Sequence, residues 1–246
     1  MTLAGQRVLI TGGGSGTGAD MARGFHAAGA EVVIAGRRAE ALARVASGLA
    51  GVRCVVADVT DETAVAAMFA EAGPCQIVVA NAGAGESAPF ARMPADLWHR
   101  MIAVNLTGTF LTLRDGLVQM APGGRLVAIA SVAGLKGAAY IAGYAAAKHG
   151  VVGLIRSVAL EVAGKGITAN AICPGYIETD MTAAVIANIM AKTGKSQAEA
   201  LASLTDTNPQ GRLFRPDEIT AAALWLCGPG SDGVNGQAIA ISGGVA

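Results

Sequence analysis

The feature that most limits what this chain can become is an alternation that begins at residue 7 and runs almost to the last residue. Short runs rich in Val, Ile and Ala lie at residues 7–11, 31–35, 53–57, 77–80, 125–130, 168–172 and 237–241. Longer Ala-rich stretches separate them, at 16–28, 38–49, 61–72, 94–120 with a break, 142–163 and 216–227. Runs that are apolar at nearly every position suit parallel strands covered on both faces. A repeated strand–helix–strand order calls for right-handed crossovers, which place helices on both sides of one sheet. The expected fold class is therefore α/β, a doubly wound parallel sheet of about seven strands. No Pro/Gly/Ser-rich linker divides the chain, so residues 1–246 read as one domain. Only residues 181–215 break the rhythm, and an excursion of that length after the sixth strand is expected to lie as a lid over the ligand crevice.

Composition removes several functional classes. Lys plus Arg and Asp plus Glu are both 18, and no basic run occurs, so nucleic acid is not an expected partner. The histidines His26, His99 and His149 have no metal-ligand spacing, and no metal site is expected. Cys54, Cys75, Cys173 and Cys227 form no close pair and read as buried reduced thiols. The opening MTLAGQRVLITGG lacks the apolar stretch of a secretion signal, and no segment has the ~20 apolar residues of a membrane span. A cytoplasmic protein without membrane partners is expected.

The first strand runs straight into Thr11-Gly12-Gly13-Gly14-Ser15-Gly16-Thr17-Gly18, with a helix behind it. Glycines between a strand and a helix permit a tight turn and let backbone N–H groups approach a pyrophosphate, whose charge the helix start also favours. This is the fingerprint of a Rossmann-like dinucleotide site, in which Thr11, Gly12, Ser15, Gly16, Thr17 and Gly18 are candidate cofactor contacts. The second strand ends in Ala35-Gly36-Arg37-Arg38 and not in a carboxylate. Arg37 can pair with an adenosine 2′-phosphate, favouring NADP(H) and leaving NAD(H) possible; alternatively both arginines are solvated residues opening the next helix. Asp58, with Val59 after the third strand, can meet the adenine edge or cap the following helix.

Tyr144 and Lys148 stand four residues apart, one above the other on a helix face. A phenol titrates near ~10, and a neighbouring ammonium lowers that value, which suits proton exchange with an alcohol oxygen. The same spacing also describes an ordinary surface pair. Ser131 ends the fifth strand, where open α/β sheets bind ligands, and its hydroxyl can donate to a carbonyl oxygen. Asn105 is polar inside an apolar helix, either as a functional amide or at a helix kink. Tyr140 has Tyr144 and no lysine four residues on, and reads as a pocket wall.

Together these residues resemble the short-chain dehydrogenase/reductase family over essentially the whole chain. Thr11-Gly12-x-x-x-Gly16-x-Gly18 is similar to its cofactor motif, Asn81-Ala82-Gly83 to its element after the fourth strand, and Asn105, Ser131, Tyr144 and Lys148 to its catalytic tetrad. The resemblance implies Tyr144 as general acid/base, Lys148 also on the nicotinamide ribose, Ser131 orienting substrate and Asn105 holding a relay water. It implies Asn81, Ala82, Gly83, Ile177 and Thr179 as further cofactor contacts, 181–215 as the substrate lid, and a homotetramer helped by the small residues Gly143, Ala147 and Gly150. Thr17, Gln76 and Ser15 depart from the family pattern, and Ser15 stands where many NADP(H)-preferring members carry a basic residue. CPGYIETDM, NPQGRLFRPDEI and GQAIAISGG are similar to the 3-oxoacyl-thioester and polyketide ketoreductases and to hydroxyacyl-CoA dehydrogenases. The expected reaction is hydride transfer between NAD(P)(H) and a small-molecule ketone or secondary alcohol, a 3-oxoacyl thioester or a hydrophobic ketone. Met181, Val185, Ile186, Ile189 and Met190 read as an apolar pocket or as lid packing. An epimerase or dehydratase and a non-catalytic dinucleotide sensor are the rival readings.

Overall fold

The computed structural model describes residues 2–246, so residue 1 of the expected domain lies outside the described residues. Seven parallel strands form one sheet: β1 (Arg7–Thr11), β2 (Glu31–Gly36), β3 (Arg53–Val56), β4 (Ile77–Ala80), β5 (Arg125–Ile129), β6 (Thr168–Pro174) and β7 (Ala238–Ile241). Their order is β3-β2-β1-β4-β5-β6-β7. The chain builds outward from β1 to β3, then returns to β1's other side with β4. That reversal opens a crevice at the carboxyl ends of β1 and β4.

Side chains alternate across the sheet and fill two cores. Leu9, Val33, Val78 and Leu126 point to one side, where they meet Phe69 of α3 (Glu62–Ala72), Leu111 of α5 (Gly108–Val118) and Ile155 of α6 (Ala142–Val162). Val8, Ile10, Ile34 and Val79 point to the other, against Phe25 of α1 (Gly16–Ala27), Leu42 of α2 (Ala39–Ala46) and Leu226 of α9 (Pro216–Cys227). Burial on both faces explains why the strands read as continuous apolar runs. Cys75, Cys173 and Cys227 are buried, but Cys54 is exposed on the edge strand β3, contrary to its reading as a buried thiol. No helix among the described residues is long and apolar enough to cross a membrane.

The break expected within 94–120 is a π-helical turn, Ala103–Thr107, between α4 (Ala95–Ile102) and α5. The expected excursion becomes two helices, α7 (Asp180–Thr193) and α8 (Gln197–Thr205). Gly194 ends α7 in the left-handed region at φ 70°, and a Ser196–Glu199 capping box starts α8.

Small residues on α6 pack inside the chain. A Cβ added at Gly150 would come within 2.8 Å of Leu106, and one at Gly143 within 3.5 Å of Met101. Gly143 and Gly150 thus let α6 approach α4 and the π turn within the chain.

Candidate active site

A cleft of about 960 Å³ runs along the carboxyl ends of the strands. Every residue singled out from the sequence as a catalytic or cofactor contact lines it except Thr11. Thr11 is buried, and its hydroxyl donates to the Val79 carbonyl (3.4 Å) and accepts from the N–H groups of Asn81 (3.1 Å) and Ala82 (3.2 Å). It ties β1 to β4 beneath the cleft and leaves Asn81, Ala82 and Gly83 to form the wall.

The glycine turn has the shape an anion needs. Gly12 (φ 69°) and Gly16 (φ 51°) occupy the left-handed region, and Ser15 begins α1 without using its side chain as a cap. No acidic residue occupies the first turn of α1, whose positive end favours an anion. A Cβ at Gly18 would overlap the Gly12 carbonyl oxygen and the Asn81 side chain. Gly18→Ala should therefore open the turn and lower stability by about 1–3 kcal/mol, visible as a fall in Tm with weakened dinucleotide binding. An unchanged Tm and affinity would show that the close approach is not needed.

At the far end stand Arg37 and Asp58. Asp61, not Asp58, caps α3, accepting from the N–H groups of Thr63 (2.8 Å) and Ala64 (3.1 Å). Asp58 accepts from the Thr60 N–H (2.9 Å) and hydroxyl (2.8 Å) and lies 3.9 Å from Arg37. Burial pushes the Asp58 carboxyl up, but the Thr60 bonds and Arg37 outweigh it and hold it below the usual aspartate value. Beside Ser15 a second groove, of about 450 Å³, gathers Arg23, Arg38 and Arg44. None of these three has a carboxylate partner among the described residues. Arg23 and Arg44 escaped the sequence reading because α1 and α2 deliver them to Ser15 only in three dimensions.

Ser131, Tyr144 and Lys148 meet in the middle of the cleft. Ser131 Oγ accepts the Ala133 N–H (3.1 Å), which orients the hydroxyl and leaves its proton to donate. Its hydrogen bond with the Tyr144 phenol lowers the phenol's pKa, but burial acts more strongly and raises Tyr144 above the usual tyrosine value. The lowering expected from Lys148 is not among the influences on Tyr144 in the protein alone. Lys148 is buried, its Nζ donates to the Ile129 carbonyl (2.8 Å), and it sits 5.7 Å from the Tyr144 ring centre. Burial brings its pKa down to about 8, so it is still mostly protonated at neutral pH.

Asn105 lies in the π turn, fully buried. Its Oδ1 accepts the Ala84 N–H (3.2 Å), while Nδ2 donates to the carbonyls of Ala84 (2.9 Å) and Met101 (3.0 Å). It straps the loop after β4 to the π turn, with one lone pair of Oδ1 left over. A π turn is a rare element found at functional positions. Tyr140 does not form a pocket wall: it is exposed, with φ 71°, and its carbonyl accepts the Ala88 N–H (2.8 Å). On α7, Met181 and Val185 line the cleft, whereas Ile186, Ile189 and Met190 do not. Thr179 leans over the glycine turn, its methyl 3.3 Å from where a Gly16 Cβ would stand.

A strand–glycine turn–helix unit that shares one cleft with Ser131, Tyr144 and Lys148 has the arrangement of a dinucleotide-dependent redox site. Comparison with known proteins agrees. The family model described as "Enoyl-(Acyl carrier protein) reductase" matches residues 12–246. A putative ketoacyl reductase of Streptomyces coelicolor is 36% identical over 96% of this chain and 95% of its own length. Cis-4-hydroxycyclohexanecarboxylate dehydrogenase of Sinomonas cyclohexanicum is 38% identical over 96% and 94%. A variant of actinorhodin polyketide ketoreductase crystallised with NADPH superposes with a TM-score of 0.89 at 35% identity, covering 98% of this chain and 97% of that one. The chain belongs to the short-chain dehydrogenase/reductase family of NAD(P)-dependent oxidoreductases.

Proposed function

We propose that the protein interconverts a ketone and a secondary alcohol, with Tyr144 passing the proton and Ser131 holding the reacting oxygen. The observation that carries this reading is the convergence of Ser131, Tyr144 and the buried Lys148 in the same cleft as the glycine turn. A nicotinamide dinucleotide, when bound, supplies or accepts the hydride. Gly12, Ser15, Gly16, Thr17 and Gly18 would hold its pyrophosphate, Asp58 and Val59 its adenine, and Asn81, Ala82, Gly83, Ile177 and Thr179 the rest of the molecule. The Ser131 hydroxyl donates to the carbonyl oxygen and favours charge developing there. The phenol gives its proton to that oxygen in reduction and takes it back in oxidation. The Lys148 ammonium favours the phenolate, and two of its three protons remain for a ribose after the bond to Ile129. Asn105 holds the loop bearing Gly83 in place, and its free lone pair suits a relay water.

The substrate read from the sequence is a 3-oxoacyl thioester or a hydrophobic ketone, and Met181 and Val185 facing the cleft support an apolar body. Assay of ketones, hydroxyacyl thioesters and cyclic alcohols with NADH and NADPH tests this reading; no turnover with any pair would overturn it. NADP(H) is the cofactor we favour. Arg37 lines the adenosine end, and Arg23, Arg38 and Arg44 surround Ser15, which offsets the missing basic residue at position 15. Arg37→Ala should weaken NADPH binding about tenfold while NADH affinity stays within about twofold, by fluorescence titration. Equal loss for both cofactors would show that Arg37 does not read the 2′-phosphate. A homotetramer also belongs to this reading, favoured by the exposed apolar side chains Phe110 and Val118 of α5 and Leu160 of α6, and light scattering would test it.

A further inference from the structure

The cleft continues past Ser131 and Tyr144 into an outer chamber between the loop after β4, the loop after β5 and the lid helix α7. The side chains that α7 turns toward it form one stripe, spaced as a helix face requires, whose character changes along its length. Met181, Ala184 and Val185 come first, with Thr182 beside them, then Asn188, then Lys192. Asn188 Nδ2 donates to Ser87 Oγ across the chamber (3.4 Å), which draws the polar end of α7 over the opening. Lys192 lies one turn farther out, about 6 Å along the helix. Lys136, five residues beyond Ser131, lines the same cleft from the loop after β5.

Charge pairing in the chamber is uneven. Glu86 is bonded to Arg100 (3.3 Å), and Arg212 holds both carboxylate oxygens of Glu218 (2.8 and 2.7 Å). Asp180 sits at the other end of α7, by the glycine turn. Lys136 and Lys192 have no carboxylate within ion-pair distance among the described residues. The chamber thus combines the apolar side chains Met181, Ala184 and Val185 with two ammonium groups that have no ion-pair partner among the described residues.

We propose that the substrate is an oxo or hydroxy compound with an apolar middle and an anionic terminus, which Lys136 and Lys192 hold at the outer opening. The proposal rests on the reading of Ser131, Tyr144 and Lys148 as the reaction centre. A carboxylate of a free acid and a phosphate of a thioester carrier offer the same chemistry to these lysines, and matched substrates separate the two.

The test uses 5-oxohexanoate, its methyl ester and acetoacetyl-coenzyme A, with the wild type and the K136Q, K192Q and double variants. For wild type, kcat/KM for the acid or for the coenzyme A thioester should exceed that for the neutral ester by about tenfold or more. The double variant should erase that ratio, through KM for the charged substrate. An advantage for the acid assigns the site to a carboxylate, and one for the thioester assigns it to phosphate. Equal rates for charged and neutral substrates in wild type, or an advantage that survives the double variant, would overturn the proposal and leave the redox reading intact. No turnover of any of the three would overturn both.

Discussion

Lys148→Met should raise the Tm of the protein measured without cofactor by about 5 °C while turnover falls by about two orders of magnitude or more. The two effects share one cause. Lys148 is 4% exposed, and burial lowers its pKa from 10.5 to about 8. At pH 7 the unfolded chain carries that proton more readily than the fold does, which costs the fold about 3 kcal/mol. Methionine has similar length and no charge, so the cost disappears. About 1 kcal/mol returns because the Ile129 carbonyl loses the Lys148 bond (2.8 Å). The net gain of about 2 kcal/mol corresponds to the stated Tm rise for a chain of this size. Its pH dependence is specific. The cost is present in full well below pH 8 and fades as pH rises from about 8 towards 10.5, where the unfolded lysine also loses its proton. The gap between variant and wild type should therefore close over that window. Turnover suffers because the ammonium 5.7 Å from the Tyr144 ring no longer favours the phenolate. A variant less stable than wild type at pH 7, or a gap independent of pH, would show that burial does not govern Lys148.

How much of this could be read from the residues depended on the range of the interactions. Strands were legible because burial on both faces writes an uninterrupted apolar run. Their ends were not, since the last pairs belong to a neighbour: β6 runs on to Pro174 because Ile241 of β7 pairs with it. Asn105 was visible as an anomaly in an apolar helix, but the π turn around it follows from bonds to Ala84, twenty-one residues away. Gly143 and Gly150 signalled close packing on α6, and within the chain they lie against Met101 of α4 and Leu106 of the π turn. Thr11 belongs to the motif's spelling, yet its hydroxyl is used in joining β1 to β4. Motif spacing marks positions near the cleft; which of them reach it is decided by hydrogen bonds between distant segments. The same holds for charge. Arg23 and Arg44 have no local signature, and only the packing of α1 and α2 brings them beside Ser15.

Tyr144→Phe removes one oxygen and should lower turnover about 10²- to 10⁴-fold in both directions, the range general acid–base catalysis supplies. Cofactor affinity should stay within about threefold, because the glycine turn and Lys148 remain. The substitution keeps the ring that sits 5.7 Å from Lys148, so the loss would not be one of packing. Ser131 still accepts the Ala133 N–H, and its proton can still reach the substrate oxygen, so a residual rate is expected in place of complete silence. The pH profile distinguishes proton transfer from a role in substrate seating. Burial raises the Tyr144 pKa above the usual tyrosine value, against the Ser131 hydrogen bond that lowers it. Through neutral pH the phenolate is thus a minor form that grows about tenfold per pH unit, and alcohol oxidation by the wild type should climb with it. The phenylalanine variant should show no such climb. Measurement of kcat for alcohol oxidation from pH 6 to 9, together with nucleotide binding at pH 7, checks both parts. A variant that turns over within a few-fold of wild type, or that retains the rising limb, would take the proton transfer away from Tyr144.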